Sequence, residues 1–380
     1  MDKLKLMTIV GTRPEIIRLS EIIKKCDIYF EHILVHTGQN YDKNLNQIFF
    51  NSLNIREPDF RLDVAGENLG ETIGNIISES YKLMEIQKPD AILILGDTNS
   101  CLCAISAKRL HIPIFHIEAG NRCFDECLPE ETNRRIVDHI ADVNMCYSEH
   151  ARRYLYLEGT SKDRTFVIGS PMPEVLQVNK DKINNSGILK KLNLNKNEYI
   201  LLSAHREENI DIEGNFYSLM NTVNKMAEVY DKQILYSCHP RSKKYIKQRG
   251  FVFDRRVKQQ EPLGFDDYNN LQINAFVVVS DSGGLPEEVS YYSSVGFHFP
   301  AVCIRTSTER PEAMDKGNFI LAGINERQIL QSIDMAVLMN KNNDFGTQVQ
   351  DYQDINVSIK VVKIIQSYTD IVNKMVWRKL

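Results

Sequence analysis

The sequence predicts an α/β protein made of two Rossmann-like, doubly wound domains facing a cleft. Three observations carry that expectation. Short apolar runs alternate with longer amphipathic stretches along the 380 residues, the rhythm of repeated β–α units. Most of these runs are continuous in Val, Ile and Leu, which suits strands buried on both faces of a parallel sheet. The rhythm is interrupted once, near the middle, in a chain long enough for two domains of roughly 150 residues or more.

Taken in order, the strand-like runs are Leu4–Val10, Ile33–His36, Ala91–Leu95, Ile112–Ile117, Val143–Tyr147 and Phe166–Ile168. A second set follows at Tyr199–Leu202, Gln233–Tyr236, Phe276–Ser280 and Ala301–Ile304. Helical stretches lie between them, among them Glu15–Cys26, Leu69–Ile86 and Glu130–Ala141. The interruption is Pro171–Asn197, rich in lysine and asparagine and opened by Pro171 and Pro173; part of it is compatible with helix. The boundary expected there gives domains 1–172 and 173–355. The tail carries Val357, Val361, Ile364, Tyr368, Ile371 and Met375 at helical spacing, so 356–380 is expected to be a terminal helix packing back on a domain.

Composition narrows the function. The net charge is −4, which weighs against a broadly basic surface and a nucleic-acid partner. No apolar run approaches the ~20 residues of a membrane helix. The first apolar stretch runs into Gly11, Arg13, Pro14 and Glu15, and it is read as a strand rather than a secretory signal. The eight cysteines form no C-x-x-C pair. Reduced, non-ligating thiols in a cytoplasmic protein are therefore expected.

The polar motifs follow strands. Gly11-Thr-Arg-Pro-Glu15, Gly96-Asp-Thr-Asn-Ser100 and His116-Ile-Glu-Ala-Gly120 do so in the first half. Ser203-Ala-His-Arg-Glu207 and Ser280-Asp-Ser-Gly-Gly284 do so in the second. Open α/β sheets bind ligands outside the carboxyl ends of their strands, so five such motifs point to one site in the interdomain cleft. Ser282, Gly283 and Gly284 precede a helix expected near Pro286, a place for a phosphate; the plainer alternative is a tight turn with Ser282 as a cap. Glu287 and Glu288 follow, either as ribose acceptors or as first-turn acids. Arg13, Arg18 and Arg310 are candidate diphosphate clamps, or solvent-facing charges.

Asp97, Glu118 and Glu130 are the candidate acid/base carboxylates. Paired carboxylates in a partly closed site have their pKa values pushed apart, which suits one acid and one base. Capping, a buried hydrogen bond and a first-turn acid are their plainer readings. His205 and His239 follow successive strands, each beside an arginine, and could meet phosphate or serve as hydrogen-bonded structural histidines. There is no G-x-G-x-x-G, P-loop or H-E-x-x-H motif. A phosphate ligand without those fingerprints points to a nucleotide sugar, with no cofactor and no metal.

At these motifs the chain resembles the non-hydrolysing UDP-N-acetylglucosamine 2-epimerase family. Gly11-Thr-Arg-Pro-Glu15, Gly96-Asp-Thr98, Glu118-Ala-Gly120, Pro129-Glu-Glu131, Asn133-Arg134, Ala204-His-Arg206, Glu261-Pro-Leu263, Asp281-Ser-Gly-Gly284, Glu287-Glu288 and Thr308-Glu-Arg-Pro-Glu312 occur in the family's order. The resemblance implies a glycosyltransferase-B type fold, a UDP-sugar substrate and a homodimer. It implies a diphosphate at Ser282, Gly283 and Gly284, approached also by Arg13 and His205, and a ribose at Glu288. Asp97, Glu118, Glu130 and His205 form the implied catalytic set. Arg18, Arg134, His239 and Arg310 join the implied substrate contacts. The reaction it implies eliminates UDP across C1–C2 of a 2-acetamido sugar and adds it back on a glycal with C2 inverted. A glycosyltransferase of the same fold is the competing class, and it has no need of a C2 acid and base.

The chain departs from the usual pattern in four places. A usual lysine is Arg18. Glu-Ala-Gly-Leu-Arg reads Glu118-Ala-Gly-Asn-Arg122, His-Arg-Arg-Glu reads His205-Arg-Glu-Glu208, and a Gln-His-x-x-Met-type segment reads Gln39-Asn-Tyr-Asp42. The last two changes weigh against the allosteric UDP-sugar site of some members. Gly96-Asp-Thr-Asn-Ser-Cys101, Glu118-Ala-Gly-Asn-Arg-Cys-Phe-Asp125 and Thr306-Ser-Thr-Glu-Arg-Pro-Glu-Ala313 look like the branch that makes UDP-N-acetyl-L-fucosamine for bacterial capsule and O-antigen.

Overall fold

The structure, a computed structural model, describes residues 2–39 and 43–379. The chain forms two compact units, Met1–Gln177 together with Asp354–Leu380, and Val178–Gln353. Among the described residues no helix is long and apolar enough to cross a membrane.

The first unit is built on a seven-stranded sheet. Its strands are β1 (Lys5–Val10), β2 (Glu31–His36), β3 (Phe60–Arg61), β4 (Ala91–Leu95), β5 (Ile114–Ile117), β6 (Val143–Cys146) and β7 (Thr165–Val167). The spatial order is β3-β2-β1-β4-β5-β6-β7, and every pairing is parallel. The second unit holds β8 (Tyr199–Ser203), β9 (Gln233–Ser237), β10 (Val257–Gln260), β11 (Val277–Ser280), β12 (Ala301–Cys303) and β13 (Ile320–Leu321). Its order is β10-β9-β8-β11-β12-β13, again all parallel. Both orders reverse direction once, at β1/β4 and at β8/β11. Such a switch point is where two loops part at the carboxyl edge and leave a crevice.

The central strands are buried on both faces. Met7, Ile9, Ile92, Ile94 and Ile114 join one core, and Ile200, Leu202, Val277, Val279 and Val302 another. This is why their sequences read as unbroken apolar runs. The helix Arg13–Tyr29 starts with Thr12 as N-cap, and Glu15, its third residue, reaches back to the Thr12 N–H. It turns Ile16, Leu19, Ile22, Ile23 and Cys26 inward. The stretch after Pro171 holds three short helices, Met172–Val178, Lys180–Asn184 and Ile188–Lys191. The described cysteines are free thiols.

The tail forms the helix Val357–Met375, and it belongs to the first unit. Glu174 fastens it by accepting from the Ser358 N–H at 2.8 Å and the Ser358 hydroxyl at 2.5 Å. Its buried face differs from the expected stripe. Val357, Ser358, Val361, Val362, Ile365, Thr369 and Val372 face inward, whereas Ile371 and Met375 are exposed. The Ser358–Glu174 pair and packing on the helix Arg13–Tyr29 rotate the helix toward 358 and 362, a rotation that apolar spacing alone does not reveal.

Gly11, between β1 and its helix, has no room for a side chain. A Cβ there would overlap Ser100 Oγ and Thr37 Oγ1, which hydrogen-bond each other at 2.8 Å. Overpacking of this kind costs about 1–3 kcal/mol. Gly11→Ala is therefore expected to lower the stability of the first unit by about that amount, measured by urea unfolding. Wild-type stability in that variant would show that β1 and the loop after β4 are not in close contact.

Candidate active site

Each unit carries a polar cluster at the carboxyl edge of its own sheet. In the first, the loop after β1 and the loop after β4 meet through Glu15. Its carboxyl is buried and accepts from Gly11 N at 2.5 Å, Thr12 N at 2.7 Å and Thr98 Oγ1 at 2.5 Å. Burial pushes its pKa up to about 7, against those three donors and with nearby Asp97 adding to the rise. Glu15 was not among the candidate site residues, because nothing in Gly-Thr-Arg-Pro-Glu says that the carboxyl turns inward.

Asp97 follows β4 and is half-buried. Its Oδ2 accepts from Arg134 Nε at 2.7 Å, and its backbone carbonyl accepts from Asn133 Nδ2 at 2.9 Å. Both partners lie on the helix Pro129–Ile140. Glu130 sits in the first turn of the same helix, four residues before Arg134, and side chains at that spacing share a face. The structure thus brings Asp97 and Arg134 together, with Glu130 one turn before Arg134 on the same helix. Glu131, the neighbour of the candidate Glu130, is the buried one. It accepts from Arg134 Nη1 at 2.9 Å and from the Cys123 N–H at 3.3 Å. Burial raises its pKa, and those partners reverse the shift to below the ordinary value.

Glu118 follows β5, adjacent to β4 in the sheet. Its φ is +70°, in the left-handed region that a residue with a Cβ seldom adopts and that tends to mark functional turns. The carboxylate lies over Gly96: a Cβ on that glycine would be 3.2 Å from Glu118 Oε2. Glu118 Oε2 therefore lies beside the glycine that precedes Asp97 in the chain. The loop that carries Glu118 is clamped from below. Asp138 accepts from Gly120 N at 3.1 Å and Arg122 Nη1 at 2.7 Å. Arg122 also makes two bonds to Glu158, at 2.8 and 2.6 Å. His116 Nε2 donates to the Gly96 carbonyl at 2.8 Å, and its Nδ1 is 3.0 Å from Asp138. Burial raises the Asp138 carboxyl, and His116 and Arg122 bring it below its usual range.

Arg13 is the first residue of its helix, its guanidinium 5.6 Å from the Phe49 ring centre. Arg18 is only 9% exposed, so it is not the solvent-facing charge that was its plainer reading. Gln39 Nε2 donates to Thr98 Oγ1 at 3.4 Å; Asn40, Tyr41 and Asp42 of the departing segment lie outside the described residues.

In the second unit the organising group is Asp281, fully buried after β11. Its Oδ2 accepts from His205 N at 2.8 Å, Arg206 N at 2.9 Å and Asn209 Nδ2 at 3.2 Å. Its Oδ1 is 3.1 Å from His205 Nδ1. Burial works against the charge, but His205 and the backbone donors hold the pKa down to about 2. Asp281 thereby fixes the His205 ring, which remains 28% exposed. The His239 ring centre is 6.0 Å from that of His205, and His239 Nδ1 accepts from Arg241 N at 3.3 Å as the N-cap of the helix Pro240–Gln248.

Ser282, Gly283 and Gly284 lead into the helix Leu285–Ser294. Ser282 Oγ accepts from Gly284 N at 3.2 Å, so the turn is pre-formed. Gly283 lets Glu309 approach closely, since a Cβ there would be 2.7 Å from Glu309 Oε1 and would force that carboxylate to shift. Glu309 in turn accepts from Arg305 Nη1 at 2.6 Å. Glu288 is half-buried and accepts from Gln272 Nε2 at 2.7 Å. Arg310 is 1% exposed, with Nε and Nη2 on Glu287 at 3.1 and 2.8 Å. It lies inside the unit as one half of a buried ion pair. Glu207, where an arginine is usual, pairs with Arg241.

Comparison with known proteins decides the family. The UDP-N-acetylglucosamine 2-epimerase family model matches residues 24–366. The chain belongs to that family. Its members are isomerases, and their two parallel-sheet Rossmann-like halves are the ones described above. A UDP-N-acetylglucosamine 2-epimerase structure from Rickettsia bellii is 45% identical, with a TM-score of 0.90 over 99% of this chain and 100% of that one. One from Methanocaldococcus jannaschii, in complex with UDP-GlcNAc and UDP, is 31% identical, with a TM-score of 0.88 over 96% of this chain and 100% of that one. The UDP-2,3-diacetamido-2,3-dideoxy-D-glucuronate 2-epimerase of Pseudomonas aeruginosa is 31% identical over 87% of this chain and 91% of its own length.

The buried Glu15 yields a test. A carboxyl whose folded pKa is raised from 4.5 to about 7 keeps its proton in the folded state while the unfolded chain has lost it. Stability therefore falls as pH rises through that window and is level above it. Glu15→Gln retains an acceptor for the two N–H groups and cannot ionise. Calorimetry between pH 4.5 and 7 is expected to show a flatter pH dependence for the variant. An unchanged slope would assign the proton to another group.

Proposed function

We propose that the protein is a non-hydrolysing 2-epimerase that inverts C2 of a UDP-2-acetamido sugar. The observation that supports this most is that Asp97 and Glu118 follow the ends of adjacent strands, with Glu118 Oε2 lying over Gly96, the residue before Asp97. A glycosyltransferase needs no such pair. UDP is the ligand class of the Methanocaldococcus jannaschii relative, and we carry it over to this chain.

The C2 proton of a 2-acetamido sugar is not adjacent to a carbonyl, so direct removal and return is very difficult. Elimination avoids this. A carboxylate takes the C2 proton, the C2–H electron pair forms the C1=C2 bond, and the C1–O bond breaks with its electrons passing to UDP. A UDP oxygen then adds back to C1 of the glycal while a carboxylic acid protonates the other face of C2. Asp97, Glu118 and Glu130 supply the base and the acid. Arg134 stabilises Asp97 as a charged partner. In the second unit, Ser282, Gly283, Gly284 and the N-terminus of the helix Leu285–Ser294 receive the diphosphate, with His205 oriented by Asp281 beside them. Glu288 receives the ribose. Arg13, Arg18 and His239 add positive or hydrogen-bonding character to the leaving UDP. Arg310 contributes by holding Glu287 beneath the same helix.

For the sugar, the three motif variants named above favour a UDP-2-acetamido-2,6-dideoxy-L-talose, giving UDP-N-acetyl-L-fucosamine. That branch implies a cytoplasmic homodimer serving bacterial capsule or O-antigen synthesis. UDP-GlcNAc/UDP-ManNAc epimerisation fits equally well, because the Rickettsia bellii and Methanocaldococcus jannaschii relatives carry the UDP-GlcNAc name.

Proton NMR in D₂O distinguishes the two. Deuterium at C2 with inversion is expected with the L-talose nucleotide. The same result with UDP-GlcNAc alone would assign the second sugar, and exchange with neither would refute both. Asp97→Asn and Glu118→Gln are each expected to lower turnover by roughly 10²–10⁴-fold while calorimetry still detects UDP binding. Normal turnover in both would remove the pair from the mechanism.

A further inference from the structure

Asn121 stands where the family usually has leucine, and its side chain is aimed at the reacting carboxylate. It is 2% exposed, and its Nδ2 donates to Glu118 Oε1 at 3.2 Å. The other carboxylate oxygen, Oε2, is the one that lies over Gly96. The main chain that carries it is held in place. The Asn121 backbone carbonyl accepts from Arg122 Nη1 at 2.8 Å, and Arg122 is held by Asp138 and Glu158. Next to it, Gly120 at φ +81° presses so closely on Ala151 that a Cβ would overlap the Ala151 carbonyl. The backbone from 118 to 122 is therefore tightly held, and the buried Asn121 side chain directs its donor at Glu118.

We propose that Asn121 is a positioning residue that holds Glu118 ionised and its Oε2 turned toward Gly96 and Asp97, making Glu118 the group that accepts the C2 proton. An amide N–H bonds a carboxylate more strongly than a carboxylic acid, so it favours the charged form. Leucine supplies no donor. Charged and titratable groups on the elements near Glu118 include Asp97 after Gly96, Glu130, Glu131 and Arg134 on the helix Pro129–Ile140, His116 and Asp138, and Arg122 with Glu158. None of them changes when Asn121 is replaced. The proposal rests on the reading of Glu118 as an acid/base group, and it adds which role Glu118 takes and what assigns it.

The test uses the full-length enzyme labelled with ¹³Cδ-glutamate. The Glu118 signal is assigned by its loss in Glu118→Gln. In Asn121→Leu the Glu118 titration midpoint is expected to rise by about one to two pH units, the amount a hydrogen bond to a charged group supplies. In Asn121→Asp, of wild-type size and so suited to fold if the leucine variant does not, a like charge is expected to raise it further. The acidic limb of C2 deuterium exchange is expected to move with the midpoint. At a pH below the wild-type midpoint, exchange then falls roughly ten- to hundredfold in Asn121→Leu, and well above the raised midpoint it is unchanged. An unmoved Glu118 midpoint in both variants overturns the role of Asn121 while leaving the epimerase reading intact. A moved midpoint with an unmoved exchange profile, or exchange persisting in Glu118→Gln, overturns Glu118 as the base and the proposal with it.

Discussion

Buried carboxylates accepting backbone N–H groups hold three of the loops at the carboxyl edges of these sheets in shape. A loop leaving the carboxyl end of a parallel strand has donors that neither the sheet nor the next helix satisfies, and buried unsatisfied N–H groups are costly. Glu15 takes those of Gly11 and Thr12, Asp138 that of Gly120, and Asp281 those of His205 and Arg206. In each case the acceptor comes from a different element, or from the next helix, so the loop is tied across the sheet rather than to itself. The catalytic and binding side chains then sit on backbone with little freedom. That is what placing a reacting group to a fraction of an ångström requires.

The three carboxylates do this in different charge states. Asp281 has an imidazole against it and stays ionised, its pKa near 2. Asp138 faces His116 and Arg122 and is also shifted down. Glu15 has hydroxyl and amide donors, with Asp97 close by, and burial carries it up to about 7. The difference follows the chemistry proposed for each unit. Departing UDP is an anion, and a permanently charged Asp281 keeps His205 oriented as a donor. The edge of the first sheet already carries Asp97, Glu118 and Glu130. A fourth full charge there would make it harder for any of them to ionise on demand, and a scaffold carboxyl that keeps its proton avoids the conflict.

The central strands and the motif loops were legible because their signals are local. The apolar runs of β1, β4, β8 and β11 need no partner to be recognised, and the glycine-containing turns after them follow directly. The expectations contain no counterpart of β3, β10 or β13. These are edge strands of two to four residues, such as Val257-Lys-Gln-Gln260, whose strand character comes from the neighbour they pair with. The site divides in the same way. Asp97 and Glu118 could be singled out by motif and position, whereas Glu15, Asp138 and Asp281 owe their importance to partners up to 83 residues away. Arg310 illustrates the converse: its motif marks it as a ligand for phosphate, and its contact with Glu287 is invisible until the chain is folded.

The sugar is less legible than the reaction for a related reason. Elimination and re-addition involve C1, C2 and the diphosphate, and the described clusters provide for those atoms. Substituents at C3, C5 and C6 play no part in bond making. The residues that read them are therefore free to differ between relatives. A UDP-GlcNAc enzyme and a diacetamido-glucuronate enzyme stand at the same 31% identity to this chain, so that level of likeness is compatible with different sugars. A change such as asparagine for leucine at 121 acts at the other level. In the role proposed for it, it acts on Glu118, so its effect is on the pH at which the reaction runs rather than on which sugar enters.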